Sequence, residues 1–117
     1  NANDAVVAAN GTLTSVTINS SSNQGPTDDN RIKPDITGNG TSVTSTNSTS
    51  DTSTTTMSGT SMATPHVAGV VGLYLSKNLL QIPSPAAVQT AIKSAATLNK
   101  ISGVPRGTVN SLLNTKY

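Results

Sequence analysis

Hydrophobic and polar positions change rhythm twice along the chain. As far as Ser58 the apolar residues come in short bursts separated by turn pairs, as they do in strands. Ala5-Val6-Val7-Ala8-Ala9 is one such run, stopped by Asn10-Gly11, and Leu13, Val16 and Ile18 form a looser second strand. Gly25-Pro26 and Asp28-Asp29-Asn30 mark further turns, and Ile32 to Ile36 returns to strand-like spacing. From Thr41 to Thr60 nearly every residue is Ser or Thr, with Val43 and Met57 as the apolar points. By composition alone this tract reads as a flexible or O-glycosylated linker. Threonine is also a good strand residue, so the tract stays open at this level.

The second change comes at Gly59. Ala63, Val67, Ala68, Val70, Val71, Leu73 and Leu75 fall on nearly every helical face. This predicts a helix from Ser61 to Leu75 that is buried all round. Gly69 and Gly72 weaken that helix and predict close packing against other backbone. A second helix is better marked, with Ser84 as N-cap, Pro85 at its first position and residues 86–97 following. Its stripe is Ala87, Val88, Ala91, Ile92 and Ala95. The segment from Ile101 to Leu113 mixes turn residues (Gly103, Pro105, Gly107) with a short apolar strand.

Composition then limits what these elements can bury. Only 33% of the 117 residues are apolar, Phe and Trp are absent, and Tyr74 and Tyr117 are the only aromatics. Globular domains usually carry about 45–50% apolar residues, counting glycine. The numbers fit a stretch that shares its core with a neighbouring segment. The net charge of +2 comes from scattered Lys and Arg among few acids, so no basic patch supports nucleic-acid binding. Without cysteine there are no disulfides or thiolate metal sites. The longest apolar run, Val67 to Leu75, is too short to span a bilayer, which takes about 20 residues.

The candidate chemistry sits at the second change of rhythm. Gly59-Thr60-Ser61-Met62-Ala63-Thr64-Pro65-His66-Val67-Ala68-Gly69 places a small-residue turn before a serine and begins a helix there. Backbone N–H groups at a helix start lack intrahelical partners, and the macrodipole is positive at that end. Negative charge developing beside Ser61 would be stabilised, as a tetrahedral acyl intermediate requires. Gly59 would let a substrate carbonyl approach, and Pro65 is expected in the first turn, where no donor is needed.

This stretch resembles the active-site serine signature of the subtilases, the subtilisin and proteinase K superfamily. Gln24 to Ile36 is similar to the segment that precedes the serine in that family. Gly103-Val104-Pro105-Arg106-Gly107-Thr108-Val109-Asn110 resembles the closing strand of the domain. The likeness runs over roughly residues 4 to 113. It implies an α/β fold, a mostly parallel sheet with helices on both faces, of which residues 1–117 form the C-terminal part. It also implies Ser61 as nucleophile, with Ser58, Gly59 and Thr60 at the oxyanion and substrate-binding side. The family's chain order of Asp, His, Ser puts the orienting acid and the general base upstream of residue 1. Protein or peptide substrates, secretion and an association with that upstream segment follow from the same likeness. Calcium is common in the family, although no oxygen-ligand cluster stands out here. The position of the Ser/Thr tract moves its reading from linker to an ordered strand and loop.

Two departures are visible: Ser21 stands where relatives carry Phe, and Gly38-Asn39-Gly40 stands where many have Ala-Pro-Gly. His66, the single histidine, belongs to the helix in the family pattern. Five residues beyond Ser61, it is rotated away from the serine, and it is expected to be buried and structural. Asp4, Asp28, Asp29, Asp35 and Asp51 also lack the setting of the family's triad aspartate. Four Asn-x-Ser/Thr sequons (Asn10, Asn19, Asn39, Asn47) are expected by chance in so Asn- and Ser-rich a chain. The residues leave three functions open: an endopeptidase part, an inactive structural module of the same fold, and a Ser/Thr/Asn-rich surface segment. The intact serine motif argues against the last.

Overall fold

The computed structural model describes residues 2–7 and 13–116, with side chains from position 15 onward. Strand β1 (Ala2–Val7) pairs antiparallel with β2 (Leu13–Ile18), with an irregularity between Val6 and Val7. The Asn10-Gly11 turn expected from sequence lies outside the described residues. On its other edge β1 takes a parallel neighbour, β3 (Gly38–Asn39), giving the order β2-β1-β3.

The strand expected over Ile32 to Ile36 does not form, and the ladder contacts begin one residue later. Pro34 has no N–H to give to a ladder, and the Asp35 carboxylate is held by Lys33 and Lys93. Thr37 is fully buried. Its N–H donates to Ser111 O (2.8 Å) and its carbonyl accepts from Leu113 N–H (2.8 Å).

The Ser/Thr tract is ordered. Strands β4 (Val43–Thr46) and β5 (Thr54–Met57) form an antiparallel hairpin in which Val43 faces Met57 and Thr44 faces Thr56. The Thr44 and Thr56 hydroxyls lie 2.7 Å apart. At the tip, Asn47 Oδ1 accepts from Thr49 N–H (3.0 Å), Thr49 Oγ1 (2.7 Å) and Ser53 Oγ. Hydroxyls and one amide thus close a turn that has no glycine.

Helix α1 runs Thr60–Lys77, starting one residue before the predicted span and ending two after it. Asn78 closes it, its N–H donating to Leu75 O (2.9 Å) and its Nδ2 to Tyr74 O (2.8 Å). The expectation of burial on every side fails. Of its residues only Ala63 and Val70 are buried, and Leu73 is 55% exposed. A Cβ at Gly69 or Gly72 would meet nothing within 4 Å. The elements that pack on α1, chiefly β3 and α2, cover one side of it. The close backbone approach occurs instead at Gly38, where a Cβ would lie 3.0 Å from Ala63 O.

Helix α2 (Pro85–Ala95) begins as its sequence predicts, with Ser84 Oγ accepting Ala87 N–H at 3.3 Å. It ends two residues early, because Thr97–Leu98 turns into β6 and pairs with β7 (Ser111–Leu112). Between the helices Val70, Val88 and Ile92 form a core ringed by Ile36, Val71, Tyr74, Leu75 and Leu113. Val16 and Ile101 are buried near the sheet, where Ile18 N–H donates to Ser102 O (3.1 Å) and Ser102 N–H to Val16 O (2.8 Å). The class is α/β, with the parallel pairing of β1 and β3 extended by parallel bridges at Thr17–Ser102 and Thr37–Leu112.

Candidate active site

The hairpin delivers the chain to the serine through one glycine. Gly59 has φ 155° and ψ 168°, a region that side chains other than glycine's scarcely enter. Its N–H donates to Gly40 O at 2.7 Å, and its carbonyl accepts Met62 N–H (3.0 Å) and Ala63 N–H (3.3 Å). These are the first hydrogen bonds of α1. The N–H groups of Thr60 and Ser61 lie ahead of them and have no acceptor in the helix. No side chain caps this end, and no acid lies in the first turn. The helix therefore presents its positive end unneutralised beside Ser61.

Ser61 is exposed, and no hydrogen bond to its Oγ occurs among the described residues. Thr60 is also exposed, and its carbonyl accepts Thr64 Oγ1 at 3.0 Å. Ser58 is exposed and its Oγ accepts Ser42 N–H at 2.8 Å. Pro65 does not lie in the first turn: counted from Thr60 it stands inside the helix. Lacking an N–H, it leaves the Ser61 carbonyl, four residues back, without its usual donor.

His66 is half-buried rather than buried, because one side of α1 opens to a groove. Its Nδ1 lies 2.8 Å from Met62 O. A carbonyl only accepts, so Nδ1 carries the proton and the ring is tied to its own helix. Ser61 and His66 both border this groove of about 790 Å³, with Val43, Ser45 and Met57 on the hairpin side. No hydrogen bond joins the two among the described residues.

Asp29 and Asp35 are engaged elsewhere. Asp29 accepts from Thr27 Oγ1 and from Arg31 Nε (2.7 Å), which hold its carboxyl below the ordinary aspartate value. Asp35 accepts from Lys33 and from Lys93 Nζ (2.7 Å), and those two bonds lower it likewise. Asp51 is exposed at the hairpin tip, and the side chain of Asp4 lies outside the described residues. No group of three or more His, Cys, Asp or Glu that could hold a metal occurs among the described residues, so they offer calcium no such cluster. The Ser42–Ser58 contact was not visible in the sequence. A bond from one chain segment to a hydroxyl sixteen residues on leaves no local pattern.

What the geometry provides is an exposed hydroxyl at an uncapped helix start, fed by a glycine turn. Comparisons with known proteins bear on what that means. The chain matches the Subtilase family (peptidase S8) over residues 2–112. It is 52% identical over 54 residues to the alkaline serine exoprotease A of Vibrio alginolyticus, covering 46% of this chain and 10% of that protein. It is 53% identical over 53 residues to the cuticle-degrading protease of Metarhizium anisopliae, covering 45% and 13% respectively. The crystal structure of a cold-adapted subtilisin-like serine proteinase is similar at a TM-score of 0.62 and 41% identity, over 71% of this chain and 29% of that one. The matched stretch is a minor part of each relative's length. On a match that spans nearly all its residues, the chain belongs to the subtilase family of subtilisin-like serine proteases.

Proposed function

We propose that this chain contributes the nucleophile of a serine endopeptidase, with Ser61 Oγ attacking the carbonyl carbon of a peptide bond. The observation that carries this reading is the exposed, unpaired Ser61 hydroxyl at a helix start whose N–H groups have no intrahelical acceptor. As Oγ bonds to carbon, the carbonyl oxygen becomes an oxyanion. The Ser61 N–H donates to it, the Thr60 hydroxyl lies near the same oxygen, and the helix dipole stabilises the charge. Gly59 and Ser58 form the wall along which the substrate carbonyl approaches.

The serine proton must pass to a base that then returns it to the leaving amine. His66 does not fit that role, since its Nδ1–H is spent on Met62 O and its ring makes no bond to Ser61. Asp29 and Asp35 do not fit either, since their carboxylates are held by Arg31 and by Lys33 and Lys93. The family's chain order of Asp, His, Ser assigns the base and its orienting acid to a segment upstream of residue 1. The open groove bordered by Ser61 and His66 is where that segment would pack. Residues 1–117 are on this reading the C-terminal part of the catalytic domain, acting on protein or peptide substrates. Secretion fits a relative named for degrading cuticle.

The test is covalent labelling of the full-length protein by a serine-directed fluorophosphonate. Labelling is expected in the wild type and lost in Ser61→Ala. A folded, full-length protein that takes no label would instead be an inactive module of the same fold.

A further inference from the structure

Ser61 is held by a frame that reaches back to the start of the hairpin. The β4–β5 ladder begins at the pair Val43 and Met57. Beyond it Ser42 takes a left-handed conformation with φ 52°. That turn removes the Ser42 N–H from the ladder. Its acceptor is a side chain, the Oγ of Ser58, at 2.8 Å. One residue further, Gly59 N–H donates to Gly40 O at 2.7 Å. Ser58 and Gly59 are thus fastened in succession to the facing segment, Gly40 to Ser42. The next two residues, Thr60 and Ser61, carry the free N–H groups.

We infer that Ser58 is a positioning residue: by accepting the Ser42 N–H, its hydroxyl fixes the Gly59 pivot and so aims the Ser61 Oγ and N–H. This rests on the reading of Ser61 as nucleophile and adds to it. Gly59 has no side chain to limit rotation, so the angle at which α1 leaves the hairpin depends on bonds to either side. The Gly40 bond holds the peptide before Gly59 at a single point. The Ser58 hydroxyl supplies the second point, and two points define a direction. Aim matters more for the transition state than for the bound substrate, because the donors must meet an oxygen whose position changes as it becomes tetrahedral. Displacement by about 1 Å costs on the order of a hundredfold in rate. Loss of one of two restraints should therefore lower kcat and leave KM nearly unchanged.

The test compares Ser58→Thr with Ser58→Val in the full-length protease. The two side chains have the same shape, and only threonine keeps the accepting hydroxyl. Active molecules are counted by fluorophosphonate titration, so that folding losses are divided out. Ser58→Val is expected to show a kcat about tenfold below that of Ser58→Thr, with KM values within twofold of each other. Equal kcat values per active molecule would overturn the inference, as would a difference confined to KM. Ser61→Ala run alongside separates the two levels. If it is inactive while the Val and Thr variants are equal, only the positioning role falls; if it stays active, the nucleophile reading falls first.

Discussion

His66 Nδ1 donates to the carbonyl oxygen of Met62 at 2.8 Å, one helical turn back and just past Ser61. The ring thus braces the first turns of α1. Pro65, which has no N–H, already leaves the Ser61 carbonyl without its helical donor there. Replacing His66 with Gln in the full-length protein should cost about 1 kcal/mol of stability, the usual worth of one such hydrogen bond. Fluorophosphonate labelling per folded molecule should stay near the wild-type rate. Loss of labelling by a fully folded His66→Gln variant would mean that the histidine takes part in the chemistry.

Asp35 joins the segment before β3 to α2 through Lys33 and Lys93. Both bonds lower its pKa in the folded state, that to Lys33 the more strongly. Its stabilisation is therefore full above the unfolded aspartate value of about 3.9 and fades as pH falls through the lower folded value. Lys93→Met should cost about 0.5–1 kcal/mol at pH 7, since the pair is partly exposed and screened. Asp35→Asn should cost more, having lost both partners. Thermal melts from pH 7 down to pH 2 should show the Asp35→Asn deficit shrinking only below pH 4. A deficit independent of pH would exclude the ion pairs as its source.

Gly59→Ala tests the turn itself. At φ 155° and ψ 168° a Cβ is strained whatever space surrounds it. The cost should be about 1–3 kcal/mol. If the backbone relaxes instead, the Ser61 N–H moves, and kcat should fall by about a hundredfold. A variant with wild-type stability and wild-type kcat would show that this glycine imposes nothing.

The 117 residues expressed alone should neither hydrolyse peptides nor melt cooperatively as a dilute monomer. Of the buried apolar residues among those described, only Val16, Val70, Val88, Ile92 and Ile101 are larger than alanine. Each contributes about 1.5–3 kcal/mol when fully buried, so the described core is a small one. Circular dichroism with sedimentation would check this, and a sharp transition from a strict monomer would contradict it.

Where the sequence was legible, the signal was local and chemical. Ser84-Pro85 fixed the start of α2 because a cap and a proline act within one turn. The serine motif located the beginning of α1 to within one residue through its glycine turn, since no side chain caps that helix. The Ser/Thr hairpin could not be read from its own composition. Its order comes from cross-strand hydroxyl pairs such as Thr44 with Thr56, which exist only once the register is set. The strand expected at Ile32 to Ile36 gives way to β3 at Gly38–Asn39, because a two-residue strand carries no period. The sequence of α1 overstates its burial, since an apolar sequence states what a face tolerates and not what covers it, as Leu73 shows.

The bridges at Thr17–Ser102 and Thr37–Leu112 join positions far apart in the chain. Pairings at such separation must close a long loop before any contact rewards the closure, which makes them slow to form. Helices α1 and α2 and the β4–β5 hairpin need no such search. Folding should then have a definite order in time: local elements first, and docking of the 101–113 segment last. Mutations in that segment would act on how long the chain stays undocked.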